Sequence, residues 1–209
     1  MAESVFHTTL EHEGVAEFVE KKSVFIGHAC PVSSEEEALA YVKKKKSEYA
    51  DARHNVWAYL QKGEIVARYS DDGEPQGTAG VPVLDTIRKS GVSDAVVVVT
   101  RYFGGILLGA GGLVRAYSHT ARLALDAAHI ITYEQYTELE LVCSYSDYQK
   151  YQAELPRFGA VVDDTQFADR VTLLFSVKDP LVEDVFARVR EISNGSTLPT
   201  IRGKRFDYR

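Results

Sequence analysis

The sequence of 209 residues predicts an α+β protein with two domains, residues 1–134 and residues 135–209. Two observations predict this class. Residues 95–126 have the pattern of a buried strand, a glycine-rich loop and an amphipathic helix. From residue 137 the pattern is strand, helix, two strands, helix and strand, which is the order of a ferredoxin-like domain. All six histidines precede the second pattern, which supports a boundary near Tyr133–Tyr136.

Composition excludes several classes of protein. The net charge is −6, so there is no broadly basic surface of the kind used for non-specific nucleic-acid binding. Cys30 and Cys143 have neither metal-site nor redox spacing and suit a reducing compartment. The first residues lack a signal-peptide pattern, and no apolar run approaches the length of a membrane span. We therefore expect a cytoplasmic protein without a membrane partner.

The N-terminal region contains two strand-like patterns and one helix. Residues 4–32 alternate in polarity, with a turn or bulge at Lys21–Ser23. The residues expected to face inward are Val15, Phe18, Val24, Phe25, Ile26 and Cys30. Ser33 or Ser34 is expected to cap a helix that begins with three glutamates and ends in lysines. Residues 54–60 and 64–70 then predict a hairpin that turns at Lys62–Gly63.

The central pattern begins with four valines, residues 96–99. A short β-branched run without polar alternation is typical of a strand buried on both faces. A helix is expected after Gly112, because apolar residues then recur at spacings of three and four. These residues are Leu113, Tyr117, Ala121, Ala124 and Ala128.

The segment between this strand and helix, residues 103–112, is here named the glycine loop. Its glycines are Gly104, Gly105, Gly109, Gly111 and Gly112. A helix beginning near residue 110 directs unpaired N–H groups into the loop, and Arg101 and Arg115 flank it. These features predict a site for a phosphate or carboxylate. The alternative is a tight turn that packs closely and binds nothing.

Nucleotide-binding motifs fit the glycine loop poorly. Gly104 and Gly109 have P-loop spacing, but Ala110 and Gly111 stand where lysine and serine or threonine are required. Val114 occupies the position of the last glycine of a dinucleotide fingerprint. Both motifs are excluded.

A second unusual segment, residues 70–82, is here named the acidic loop. It reads SDDGEPQGTAGVP and contains Asp71, Asp72 and Glu74. Three carboxylates at this spacing can bind a divalent cation or act as acid and base. They also suit a solvated turn whose acids cap the next helix near Thr78.

The acidic and glycine loops are expected to share one cleft. Loops at one end of neighbouring strands gather together in an open sheet. In that cleft, Asp71 or Asp72 would pair with Arg101 or Arg115.

Residues 70–84 (SDDGEPQGTAGVPVL) and 96–117 (VVVVTRYFGGILLGAGGLVRAY) together resemble the signature of the YigZ/IMPACT family. Lys22-Ser23-x-Phe25 and Ala52-x-His54-Asn55 also match its pattern, which adds His54 and Asn55 to the cleft. The resemblance implies an N-terminal domain like domain 2 of ribosomal protein S5, and a ferredoxin-like C-terminal domain. Similar modules form the fourth and fifth domains of elongation factor G. Through the eukaryotic relatives, the resemblance also implies a role in translational control by amino-acid-starvation kinase signalling.

Two functions follow from these expectations. The favoured one is a non-enzymatic regulator that binds the ribosome, structured RNA or a protein partner through the glycine-rich cleft, without cofactor, metal or catalytic residues. The alternative is a hydrolase that uses Asp71, Asp72, Glu74 and His54, with or without a metal. The sequence contains no nucleophile elbow, HExxH or CxxC to support the hydrolase.

Overall fold

The structure is a computed structural model that describes residues 6–61 and 66–208. The chain divides between Thr132 and Tyr133 into two units, and the segment that ends at His7 groups with the second. This division lies two residues before the predicted one, and Phe6 and His7, predicted in the first domain, group with the second unit. Both units combine helices with antiparallel strands, so the predicted α+β class is confirmed. No helix within the described ranges is long and apolar enough to cross a membrane.

In the described ranges, these units contain ten strands and five α-helices. The strands are β1 (Phe6–Leu10), β2 (Gly14–Glu20), β3 (Ser23–Pro31), β4 (His54–Gln61), β5 (Val66–Ser70), β6 (Ala95–Tyr102), β7 (Ile130–Cys143), β8 (Val161–Phe167), β9 (Val171–Lys178) and β10 (Thr200–Asp207). The helices are α1 (Glu35–Glu48), α2 (Gly80–Lys89), α3 (Ala110–Ala127), α4 (Tyr145–Glu154) and α5 (Val182–Ile192). Two 3₁₀ turns, Leu155–Phe158 and Asp179–Leu181, lie beside α4 and α5.

The first unit is built on a five-stranded antiparallel sheet with the order β2-β3-β6-β4-β5. Strand β6 is central. Val97 and Val99 belong to the core formed with α2 and α3, whereas Val96 and Val98 pack with α1 on the other face. All four valines are fully buried, which confirms the predicted strand buried on both faces. The predicted hairpin turn at Lys62–Gly63 lies outside the described residues.

Strand β2 is an edge strand of this sheet, and it corrects one expectation. Val15 was predicted to face inward but is 54% exposed. Only the opposite face of β2 packs against α3, so Phe18 on that face contacts the core. Phe25 is fully buried as predicted. Ser34 caps α1, because its hydroxyl accepts a hydrogen bond from the backbone N–H of Glu37.

The second unit has the ferredoxin-like element order that the sequence predicts. Strands β10-β7-β9-β8 form an antiparallel sheet in which β7 and β9 are central. The core between this sheet and the helices α4 and α5 includes Leu141, Phe175, Tyr151 and Val185. Strand β7 begins at Ile130, and β1 also pairs with it. The predicted boundary at Tyr133–Tyr136 therefore lies inside a strand, because β7 extends seven residues before Thr137, where the polar alternation of the sequence begins.

Candidate functional site

A buried ion pair joins the acidic loop to the central strand of the first unit. The Arg101 guanidinium at the end of β6 donates a hydrogen bond from Nη1 to Glu74 Oε1 over 2.7 Å. The two side chains are only 7% and 4% exposed. The Tyr117 hydroxyl of α3 donates to the same oxygen over 2.8 Å. Burial, with the Glu74 carboxylate beside it, raises the pKa of Tyr117 well above its usual range.

Ser23 extends this cluster to the start of the glycine loop. Its hydroxyl accepts hydrogen bonds from Arg101 Nη2 over 3.4 Å and from the Gly104 backbone N–H over 3.2 Å. A Cβ added at Gly104 would lie 2.0 Å from the Lys22 carbonyl carbon. Residue 104 must therefore be glycine for the two backbones to approach this closely.

Two aromatic rings enclose the Arg101 guanidinium. Its Cζ lies 5.4 Å from the ring centroid of Phe25 and 5.5 Å from that of Phe103. Such cation–π contacts add to the stabilisation of a charge that is already paired. Arg101 thus has an anionic partner inside the protein, and its contacts are those of a structural bridge.

Asp71 caps helix α2. Its Oδ1 accepts from the N–H groups of Ala79 and Gly80, and its Oδ2 accepts from Gly77. A carboxylate in this position neutralises unpaired amides and the positive end of the helix dipole. The capping interpretation of the acidic loop is confirmed for Asp71.

Asp72 faces strand β4 and helix α1. Its carboxylate accepts from Lys46 Nζ over 2.5 Å and from the Asn55 N–H over 2.7 Å. His54 Nδ1 lies 2.8 Å from the Asp72 backbone carbonyl oxygen. Asn55 in turn accepts from the Thr100 hydroxyl of β6.

The expected pairing of Asp71 or Asp72 with Arg101 or Arg115 is wrong. Glu74 is the partner of Arg101, and Lys46 is the partner of Asp72. The reason is the turn in which the Glu74 N–H donates to the Asp71 carbonyl oxygen over 3.0 Å. The three acids consequently diverge and contact α2, α1 and β6 respectively.

The glycine loop has a different character, because much of it is apolar and exposed. Leu107 is 83% exposed, and Phe103, Ile106 and Val114 beside it are also exposed. Gly109 has a φ of 71°, a left-handed conformation that favours glycine, and α3 begins at the next residue. Within the described residues, no side chain forms a capping hydrogen bond at the start of α3. The first turn of α3 also contains no acidic residue.

Arg115 is the arginine that remains beside this helix end. A Cβ added at Gly111 would lie 3.7 Å from Arg115 Nη1, so the exposed guanidinium extends back over the first turn of α3. Unpaired N–H groups and a cation in one place favour an anionic group. The structure therefore separates the two predicted arginines, since Arg101 lies inside the protein and Arg115 lies on its surface.

A groove of about 930 Å³ runs beside Arg115, between α2, α3 and the end of β2, and is here named the α2–α3 groove. Charged residues of both signs lie along it. The cations are Lys21, Lys89, Arg115 and Arg122, and the carboxylates are Glu20 and Asp85. Its apolar lining includes Phe18, Val81, Pro82, Leu108 and Val114.

Comparison with known proteins then identifies the family. Residues 21–125 match the model of the Impact N-terminal domain, and residues 141–196 match a domain of unknown function. IMPACT family member YvyE of Bacillus subtilis is 33% identical over 190 residues, covering 90% of this chain and 88% of the relative. The chain belongs to the IMPACT family.

Other members of the IMPACT family are similar over different lengths. YigZ of Escherichia coli is 35% identical over 179 residues, covering 84% of this chain and 88% of the relative. Protein IMPACT of Mus musculus is 33% identical over 96 residues, covering 43% and 30% respectively. A solved structure titled as that of a hypothetical protein covers 93% of this chain and 96% of its own, at 31% identity and a TM-score of 0.58.

Sequence reasoning missed several residues of this IMPACT-family site. Tyr117 was assigned only to the apolar stripe of α3, although its hydroxyl binds Glu74. Lys46 was predicted only as one of the lysines at the end of α1, and no feature of the sequence pointed to Thr100. The groove residues on α2 were also missed, because the half-buried Val81 and the buried Pro82 look like an ordinary helix start in the sequence.

Proposed function

We propose that this IMPACT-family protein is a non-enzymatic, translation-associated regulator that binds a protein surface of the ribosome through the glycine loop and the α2–α3 groove. The observation that carries the proposal is the exposed apolar loop placed directly beside Arg115 and the uncapped end of α3. Membership of the IMPACT family supports the link to translation.

The acidic loop supports a binding role over the alternative hydrolase. A general acid or base needs a carboxylate that reaches the substrate, and metal-assisted hydrolysis needs several ligands around one point. Asp71 instead caps α2, Asp72 binds Lys46, and Glu74 is buried against Arg101. His54 lies against a backbone carbonyl rather than a carboxylate.

The chemistry of the groove favours protein over RNA as the partner. RNA recognition relies on several cations for the phosphates and on aromatic platforms for the bases. The groove does hold four cations, but Arg122 is paired with Asp126, and the carboxylates of Glu20 and Asp85 lie beside the others. Its apolar lining is mainly aliphatic, with Phe18 as an aromatic ring at one end. Large exposed apolar patches with a polar rim mark protein-binding sites. A partner that presents apolar side chains beside a carboxylate fits this surface, with the carboxylate at Arg115.

The experiment is co-sedimentation of the purified protein with bacterial 70S ribosomes at low and moderate salt. We expect saturable binding, and we expect Leu107→Asp to abolish it. Arg115→Glu should weaken binding about ten- to a hundredfold, the value of a charge-assisted hydrogen bond. Leu39→Asp and Lys43→Glu are matched controls, because both change exposed residues of α1 on the opposite face of the sheet.

Ribosomal RNA freed of protein separates the two classes of partner. Binding to ribosomes but not to free ribosomal RNA supports the proposal. Equal binding to free RNA shows an RNA site and overturns the choice of a protein surface. Absence of binding to either, or unchanged binding of folded Leu107→Asp and Arg115→Glu proteins, overturns the proposed use of this groove.

A further inference from the structure

Three side chains that commonly ligate metals converge at a point remote from the acidic loop. Glu11 and His12 lie in the turn between β1 and β2, and His129 immediately precedes β7. One ligand atom from each residue lies within 4.8 Å of the other two. Glu11 and His129 are 118 positions apart, so the fold and not local sequence brings them together.

Backbone hydrogen bonds hold the two segments in register. The Glu11 N–H donates to the His129 carbonyl over 2.8 Å and to the Ala128 carbonyl over 3.2 Å, and the His12 N–H donates to Ala128 over 3.3 Å. His129 has a φ of 54°, a conformation that is uncommon outside glycine and asparagine. The main chain alone thus fixes the Cα positions of the three residues.

Two of the ligand atoms already have the spacing of a coordinated pair. His129 Nδ1 lies 3.2 Å from Glu11 Oε2. Ligands placed about 2.0–2.1 Å from a tetrahedral zinc ion lie about 3.3 Å apart. The His12 ring centroid is 4.8 Å from that of His129, and the His12 ligand atom lies within 4.8 Å of the other two ligand atoms.

The His12 ring is also oriented by an outer contact. Its Nδ1 lies 3.0 Å from the Glu13 carbonyl oxygen, which can only accept a hydrogen bond. The proton of the neutral ring is therefore held on Nδ1, and the lone pair is left on Nε2. Histidine ligands of metals are generally oriented by this kind of hydrogen bond to a carbonyl or carboxylate.

We infer that Glu11, His12 and His129 form a binding site for a divalent transition-metal ion, with zinc as the first candidate. Two imidazoles and one carboxylate suit zinc and its neighbours, whereas magnesium and calcium prefer oxygen ligands. Three protein ligands leave the fourth position to water or to a group of another molecule. Sequence analysis assigned no metal because the three ligands share no short motif. The competing interpretation is an exposed Glu11–His129 ion pair that binds nothing.

The test is isothermal titration calorimetry. Zinc sulfate is titrated into untagged protein that has previously been treated with EDTA. We expect one ion per chain, a rise in melting temperature with zinc, and no such response to magnesium. Replacement of a ligand should weaken binding by at least about ten- to a hundredfold, because even loss of an outer contact costs that much. The variants are His129→Asn, which tolerates the left-handed backbone, and Glu11→Gln.

His119→Asn is the matched control, since it removes an exposed histidine on α3 that belongs to a different surface. Melting of all variants in EDTA verifies that they fold. Zinc binding that is retained in His119→Asn and lost in the two ligand variants supports the site. Absence of saturable binding by the wild type, or equal binding by the folded ligand variants, overturns it.

Discussion

The acidic loop and the glycine loop have equally unusual sequences but opposite structural roles. Every carboxylate of the acidic loop is engaged within the protein, by α2 amides, by Lys46 or by Arg101. The glycine loop instead exposes apolar side chains and an uncapped helix end. A distinctive polar segment can therefore stabilise the fold through internal contacts, while the neighbouring apolar segment provides the accessible surface. Substitutions in the two loops should separate these roles.

The largest effect is expected at Glu74. Glu74→Ala leaves the Arg101 guanidinium buried without its anionic partner, which should lower the free energy of unfolding by about 3–5 kcal/mol. Urea denaturation measures this value. Arg101→Met and Tyr117→Phe combined with Glu74→Leu should recover most of the loss, because a well-packed apolar cluster often replaces a buried ion pair and no buried hydroxyl is then left without an acceptor. If Glu74→Ala lowers the free energy of unfolding by less than about 1 kcal/mol, the ion pair does not stabilise the fold as proposed.

Gly104→Ala should have the next largest effect. The added methyl group would lie 2.0 Å from the Lys22 backbone, so we expect destabilisation of about 1–3 kcal/mol from overpacking. Gly111→Ala is the matched control within the same loop, because its Cβ meets only the end of Arg115. That variant should be neutral or up to about 1 kcal/mol more stable, from helix propensity. Equal destabilisation of both would contradict the distinction.

Asp71→Ala should cost about 1 kcal/mol through loss of the α2 cap. The cost should appear as a lower melting temperature. Asp71→Asn keeps one acceptor for the Ala79 and Gly80 N–H groups but places its NH2 group against the Gly77 N–H, so it should recover only part of the stability. A melting temperature unchanged in Asp71→Ala would mean that α2 does not depend on this cap.

The smallest effect on stability is expected at Leu107. Leu107→Ser changes a side chain that is 83% exposed, so the free energy of unfolding should change by less than about 0.5 kcal/mol. The same urea experiment measures it, with Leu39→Ser as a control at another exposed leucine, on α1. A loss above 1 kcal/mol would show that Leu107 packs within the protein in solution.

The backbone plan could be predicted from the sequence, because it depends on local patterns. The valine run, the α3 stripe and the Ser34 cap each report on a few neighbouring residues. Partner identity could not be predicted in the same way. Whether Asp71, Asp72 or Glu74 meets Arg101 depends on one turn within the acidic loop, and three acids within four residues offer equivalent charges. The exposure of Val15 likewise follows from the edge position of β2, which sequence periodicity does not reveal.

The shared oxygen of Glu74 has a consequence for how this chain can evolve. Arg101 and Tyr117 both donate to Glu74 Oε1, so we expect the residues at positions 74, 101 and 117 to change together during evolution. Loss of Glu74 alone leaves the Arg101 guanidinium and the Tyr117 hydroxyl buried without their acceptor, which is costly, whereas a concerted apolar replacement of all three does not. Lineages that lose the acid should therefore have changed the arginine and the tyrosine as well. Such joint substitutions would be visible as covariation among these three positions, independently of any change in the glycine loop.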